Sequence, residues 1–190
     1  MTFKKNRNLF SLKQIKKDLK NKKELKKSFI FLIYFLVIFV VVYLFLNNVL
    51  YNYINYCYGF ISNFIISNMF GINTSFIFDD INLISVILIN SLNYPVFITF
   101  LCTGILEFSL ISSAILASKG ISLKNRIYGF LLSIPLVIVF NIFRIVCTIL
   151  MIIYFSLPLA EFLHSFLFRL FLIIIVIGFY YFWFKFYYNK

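Results

Sequence analysis

Apolar residues fill most of this chain in long stretches, broken at a few points by polar clusters. Residues 29 to 46, FIFLIYFLVIFVVVYLFL, form an uninterrupted run. A helical crossing of a hydrocarbon core about 30 Å thick takes roughly 20 such residues, so this run predicts a first transmembrane helix. A second run starts at Pro95, which suits the first turn of a helix, and continues to about Ser118, where Lys119-Gly120 makes a basic turn. The third, from 127 to 155, is long enough to cross with tilt and carries Pro135 as a candidate kink. After the short loop Ser156 to Glu161, a fourth run over 163 to 184 closes at Trp183 and Lys185. Between the first two runs, the patches Tyr56 to Phe70 and Ile81 to Ile89 are shorter or broken by Asn63 and Asn68. The segment 47 to 94 therefore reads as interfacial or re-entrant elements packed on the bundle. The expected fold class is all-α: a polytopic membrane bundle of about four transmembrane helices, with a basic tail over 1–28 and one membrane domain over 29–190.

Composition removes the soluble alternative. With 63% hydrophobic residues, a mean hydropathy of +0.98 and 27 phenylalanines, the chain has far more apolar surface than a water-soluble globule can bury. Charge then orients it. The net charge of +12 is segregated, with eleven of the eighteen Lys and Arg residues lying before Phe29. That segregation favours a cytoplasmic polybasic tail, where each cation near anionic lipid contributes about 1 kcal/mol, over a nucleic-acid partner. Within the tail Leu12, Ile15 and Leu19 recur at helical spacing, fitting either a surface helix on the inner leaflet or a solvated tail. No Lys or Arg occurs from Asn47 to Tyr94, three occur from Lys119 to Arg126, and two close the chain. Cations concentrate in cytoplasmic loops, so both termini are expected inside and 47–94 outside. Asn47-Asn48 offers no small-residue cleavage site, which makes the first run a retained anchor. The sequon Asn73-Thr74-Ser75 matters only where that face is glycosylated.

Three positions break the apolar pattern with chemistry. They are Cys102-Thr103-Gly104, Asn141-Ile142-Phe143-Arg144 and the lone His164. At 1.5 Å rise per residue, Cys102 would lie about 10 Å inward from Pro95 and Arg144 about 16 Å before Phe155, with His164 at the outer start of the fourth helix. All three then fall in the outer half of the bundle. Asn141 and Arg144 share one helical face, so the amide is a candidate to position the guanidinium. Gly104 permits close backbone approach beside the thiol. Glu107, deeper on the second helix, needs a cationic partner in the membrane, for which Arg144 and Arg169 are candidates. A lone cysteine in an apolar helix is commonly a small buried hydrophobe, and Cys57 and Cys147 are read that way. The three cysteines have neither metal-ligand spacing nor an even disulfide count, so no metal and no cofactor is expected.

Taken together over about 95 to 185, these motifs resemble the exosortase/archaeosortase family of integral membrane cysteine transpeptidases. The resemblance implies a plasma-membrane enzyme whose site faces the exterior. Its partners would be exported proteins carrying a C-terminal sorting signal, made of a short motif, a transmembrane helix and a basic end. Membrane lipid is a possible acceptor. Carried across, Cys102 is the nucleophile that forms a thioester with the substrate carbonyl. Arg144 and His164 share the tasks of charge stabilisation and proton transfer, and the sequence leaves open which does which. Such chemistry needs a thiolate, which nearby cations favour and an apolar setting opposes. The competing reading is a noncatalytic transporter or assembly partner in which Arg144, Glu107 and His164 form a structural polar network. A metalloprotease is disfavoured, since one histidine without a paired motif supplies too few ligands.

Overall fold

Between Lys22 and Met69 the sequence holds no proline and a single glycine, Gly59, so nothing forces the helix to stop after the first apolar run. A computed structural model, describing residues 22–79 and 81–188, shows the consequence. Helix α1 (Lys22–Phe45) passes through one wide π turn at Leu46–Leu50 directly into α2 (Tyr51–Met69), and Gly71, at φ 65°, turns the chain away. The helix expected to end near residue 46 thus continues for a further six turns or so. Asn47 and Asn48 are accommodated in the π turn, where their side chains bond one another at 3.4 Å. The surface helix expected around Leu12 to Leu19 lies outside the described residues.

The rest of the segment 47–94 corrects the all-α expectation. It forms a three-stranded antiparallel sheet, β1 (Thr74–Asp79), β2 (Ile84–Ile89) and β3 (Tyr94–Ile98), in the order β1-β2-β3. Most of its residues are β-branched or aromatic, and its turns carry positive φ at Leu83 and Asn93. Pro95 sits inside β3 and starts no helix. Proline is tolerated there because β3 is an edge strand. Gly59 lets α2 lie flat on the sheet, since a Cβ there would come within 2.6 Å of Ser85 Cβ.

After β3 a 3₁₀ turn (Phe100–Cys102) leads into α3 (Ile105–Ala117), much shorter than the helix expected over 95–118. Arg126 terminates it by donating from Nη1 to Leu116 O at 3.2 Å and from Nε to Ile121 O at 2.9 Å. Helix α4 (Leu123–Tyr154) is capped by Ser122 and runs through Pro135 without ending. The last apolar run begins earlier than expected. The loop expected at Ser156 to Glu161 is instead largely helical, α5 (Leu157–Phe162), followed by a π turn (Leu163–Leu167) and α6 (Phe168–Tyr188).

Two buried clusters divide the molecule along α4. At the sheet end Tyr58, Ile66, Ile87, Ile98, Cys102 and Ile149 pack α2 and the sheet against the second half of α4. At the other end Ile111, Ile115, Val137 and Trp183 pack α3, α4 and α6 together, with α1 alongside α3. Leu25–Met69, Leu123–Tyr154 and Leu157–Tyr187 are long and apolar enough to cross a membrane, and Ile105–Ala117 is apolar but shorter. Large apolar side chains such as Val37, Val41, Ile174 and Ile177 are exposed on these helices, as a chain embedded in lipid requires. The protein is a mostly helical membrane chain with a small sheet at one end.

Candidate active site

The site forms where the sheet end meets α3. Cys102 closes the 3₁₀ turn, its amide bonded to Thr99 O at 2.8 Å, and is 4% exposed. The expected depth of Cys102, counted as helical rise from Pro95, does not apply, because strand and turn precede it. Gly104, at φ 68°, starts α3 with no side-chain cap, two residues after Cys102, leaving the first-turn N–H groups of that helix without a side-chain acceptor.

Arg144 enters from α4, 1% exposed, and ties three segments together. Its Nη1 donates to Leu101 O at 3.0 Å, and its Nη2 donates to His164 O at 3.3 Å and approaches His164 Nε2 at 3.4 Å. Cys102 Sγ lies 3.6 Å from the same Nε2. The ring's other nitrogen, Nδ1, is 3.0 Å from Thr148 Oγ1, and Thr148 donates its own hydroxyl hydrogen to Arg144 O at 2.8 Å. These contacts assign the tautomer. A guanidinium only donates, so Nε2 must accept, and the ring hydrogen goes to Nδ1, where the Thr148 oxygen has a free lone pair. The single Nε2 lone pair is thereby shared between the Arg144 guanidinium and the Cys102 thiol.

The structure therefore brings Cys102, Arg144 and His164 within one hydrogen-bonded cluster. It does not give the supporting residues the parts expected of them. Asn141 is fully buried but donates to Val137 O of its own helix at 2.8 Å, not to Arg144. Its carboxamide fills the space left by Gly104, where a Cβ would also fall within 2.8 Å of Val137 Cγ1. What approaches Gly104 closely is a side chain. Glu107 is half-buried in the first turn of α3 and makes no hydrogen bond or ion pair with Arg144 or Arg169 among the described residues. Asn141 Oδ1 and Arg144 Nε are each buried without a hydrogen-bond partner among the described residues.

Two site residues escape a reading of the sequence alone. Thr148 lies one helical turn after Arg144, and the (i, i+4) spacing is the only signal for it. Thr99 Oγ1 lies 3.7 Å from Cys102 Sγ and follows β3 directly. Two cavities flank the cluster. One, about 750 Å³ and almost wholly apolar, runs between α1–α2 and α4 and reaches Thr103 and Gly104. The other, about 250 Å³, adjoins His164, Thr148 and β3. Comparisons with protein-family models, curated proteins and solved structures find no match to this chain.

Proposed function

We propose that this protein is a membrane cysteine peptidase and transpeptidase that cleaves exported proteins near a C-terminal anchor, the activity implied by the resemblance of its motifs to exosortases and archaeosortases. The observation that carries the reading is the oriented pair of Cys102 Sγ and His164 Nε2 at 3.6 Å, with Thr148 fixing the far side of the ring. Nucleophile, base and orienting group form one chain, the arrangement that activates a weak nucleophile.

The chemistry proceeds in two balanced steps. Nε2 takes the thiol proton as Sγ attacks the peptide carbonyl. The Sγ–C bond forms, the C–N bond breaks, and the proton passes from Nε2 to the leaving amine. A second nucleophile, water or the amine of a lipid acceptor, gives a proton to Nε2 as it attacks the thioester carbonyl; its bond to carbon forms, the Sγ–C bond breaks, and Nε2 returns the proton to Sγ. Arg144 and the uncapped N–H groups of α3 are the donors available to a developing oxyanion. Arg144 also holds the His164 carbonyl, which fixes the π turn that presents the ring.

Sidedness follows from charge. With the polybasic tail and the Lys119 to Arg126 turn on the cytoplasmic side, the chain crosses four times, and the sheet and the site face the exterior. Helix α3 spans only about 20 Å of a core about 30 Å thick, which leaves Cys102 beneath the outer surface. The apolar cavity beside Gly104 then suits the hydrophobic segment that follows a scissile bond.

The test is replacement of the thiol. Cells carrying Cys102→Ala or Cys102→Ser are expected to accumulate surface proteins with the C-terminal anchor intact, with normal amounts of the variant in the membrane. Processing at the wild-type rate in Cys102→Ser would sink the proposal and leave the polar cluster with a structural or transport role.

A further inference from the structure

The small cavity beside His164 is lined by four consecutive residues of β3, Tyr94 to Phe97. Side chains of a strand alternate between faces, so what four residues in a row share is the backbone edge. Among the described residues, strand β3 pairs with β2 on one side only. The register shows which groups are left over. Asn55 sits between Ser85 and its partner Ile98, accepting from Ser85 N at 2.7 Å and donating to Ile98 O at 2.7 Å, so Ile98, Val96 and Tyr94 face β2. The bond from Asn90 N to Asn73 O agrees, placing the even-numbered positions of β2 toward β1 and the odd ones toward β3. Pro95 and Phe97 therefore turn their backbone groups away from the sheet. Pro95 has no N–H to waste there. The free edge offers Pro95 O, Phe97 N–H and Phe97 O, and it leads straight to Thr99, whose hydroxyl touches the Cys102 thiol.

An unpaired edge in an apolar setting is costly unless something fills it. We propose that the free edge of β3 is the docking strand for an extended segment of a protein substrate, the segment on the N-terminal side of the bond that Cys102 cleaves. This rests on the cysteine-peptidase reading above. The occupant is set by chemistry: the N-terminal half of the substrate stays on Sγ as a thioester, so it is the half that must remain bound through both steps. With its carbonyl at Cys102 and its preceding residues running back past Phe97, that segment lies parallel to β3. Phe97 N–H then donates to one peptide carbonyl, and Phe97 O accepts from the peptide N–H two residues further along. Recognition by main-chain bonds leaves side-chain choice to the walls of the cavity, where Glu161 and Ser165 join His164.

The experiment uses the full chain in nanodiscs and measures alkylation of Cys102 by three probes. These are iodoacetamide, acetyl-tetraalanyl chloromethyl ketone, and the same ketone carrying an N-methyl group on each amide in turn. The peptide ketone should react up to about tenfold faster than the form methylated at the amide facing Phe97 O, the loss of one hydrogen bond at the edge, and methylation elsewhere should matter less. Phe97→Pro, which deletes the edge donor, should shrink the same advantage. Equal rates for all the peptide ketones, with iodoacetamide still reacting quickly at Cys102, would overturn the docking strand and leave the catalytic reading intact. A Cys102 inert to every probe would overturn both. Cross-linking of β3 to β3 between two copies would assign the edge to a dimer and also overturn it.

Discussion

The buried polar side chains of the sheet end and those of α3 differ in where their hydrogen bonds go. At the sheet end, Asn55 links α2 to β2 and β3, Arg144 links α4 to the 3₁₀ turn and to the π turn after α5, and Thr148 links α4 to His164. On α3, Ser109, Ser112 and Ser113 are equally buried, yet each hydroxyl returns to a carbonyl of its own helix. The serines are small residues that let α1, α4 and α6 approach α3, and their polarity is neutralised locally. The sheet-end groups hold separate segments in register and leave reactive atoms facing one another. Buried polarity builds a site only where its bonds cross between elements.

Breaking the cross-element bonds should therefore cost far more than breaking the local ones. The largest effect is expected at the site itself. His164→Ala should slow Cys102 acylation by about 10²- to 10⁴-fold, the usual contribution of a positioned base, as read by the single-turnover rate with a peptide thioester-forming substrate. Thr148→Val should act through the ring, lowering the rate by about tenfold and altering its pH profile, because Nδ1–H loses its acceptor. A pH profile unchanged in Thr148→Val would break the link drawn between tautomer and reactivity.

Away from the chemistry, Asn55→Leu strips the partner from two buried backbone groups, at about 1–3 kcal/mol each, and should loosen the sheet while α3, α4 and α6 stay protected in hydrogen exchange. Gly104→Ala should destabilise by about 1–3 kcal/mol through the positive φ and the collision with Asn141, and Asn141→Ala in the same chain should recover only the steric part. Ser112→Ala, by contrast, should stay within about 0.5 kcal/mol in denaturation, since the hydroxyl bonds nothing beyond its own helix. A cost at Ser112 equal to that at Asn55 would erase the distinction between the two regions.

The smallest effect concerns the β1–β2 turn. Asp79 is held below the usual carboxylate range, first by the Asn82 side-chain amide and then by the Asn82 and Ile81 backbone N–H groups. A depressed carboxylate contributes fully above its unfolded value of about 3.9 and loses that contribution as pH falls through its folded value. The protection of the Ile81 and Asn82 amides, measured against their intrinsic exchange rates, should accordingly fall in acid, and Asp79→Asn should remove that loss.

Arg144 and His164 are legible in the sequence because each interrupts apolar residues with a group that lipid does not tolerate unpaired, whereas Cys102 stands out from Cys57 and Cys147 only through the Thr103-Gly104 that follows it and the resemblance the three motifs carry together. Thr148 and Thr99 are not legible, since a threonine in a membrane helix ordinarily bonds its own backbone, and Thr148 does so while also reaching His164. The long apolar helices follow from composition. The same property hides the sheet: Ile84–Ile89 is apolar at every position but Ser85, with no sustained alternation of period two to separate strand from buried helix. Its turns, at Asp79 to Leu83 and Asn90 to Asn93, carried the available signal. Pro95 was ambiguous in itself, equally at home in a first helical turn and on a strand edge.

The most direct test of the central claim compares two thiols in one molecule. Cys57 is exposed, whereas Cys102 is buried. Iodoacetamide alkylation, followed residue by residue in the nanodisc-embedded protein at neutral pH, should modify Cys102 faster than Cys57, with the order reversed in His164→Ala. If Cys57 reacts first in the wild-type protein and the His164 substitution changes nothing, Cys102 is an inert core residue and the catalytic account is wrong.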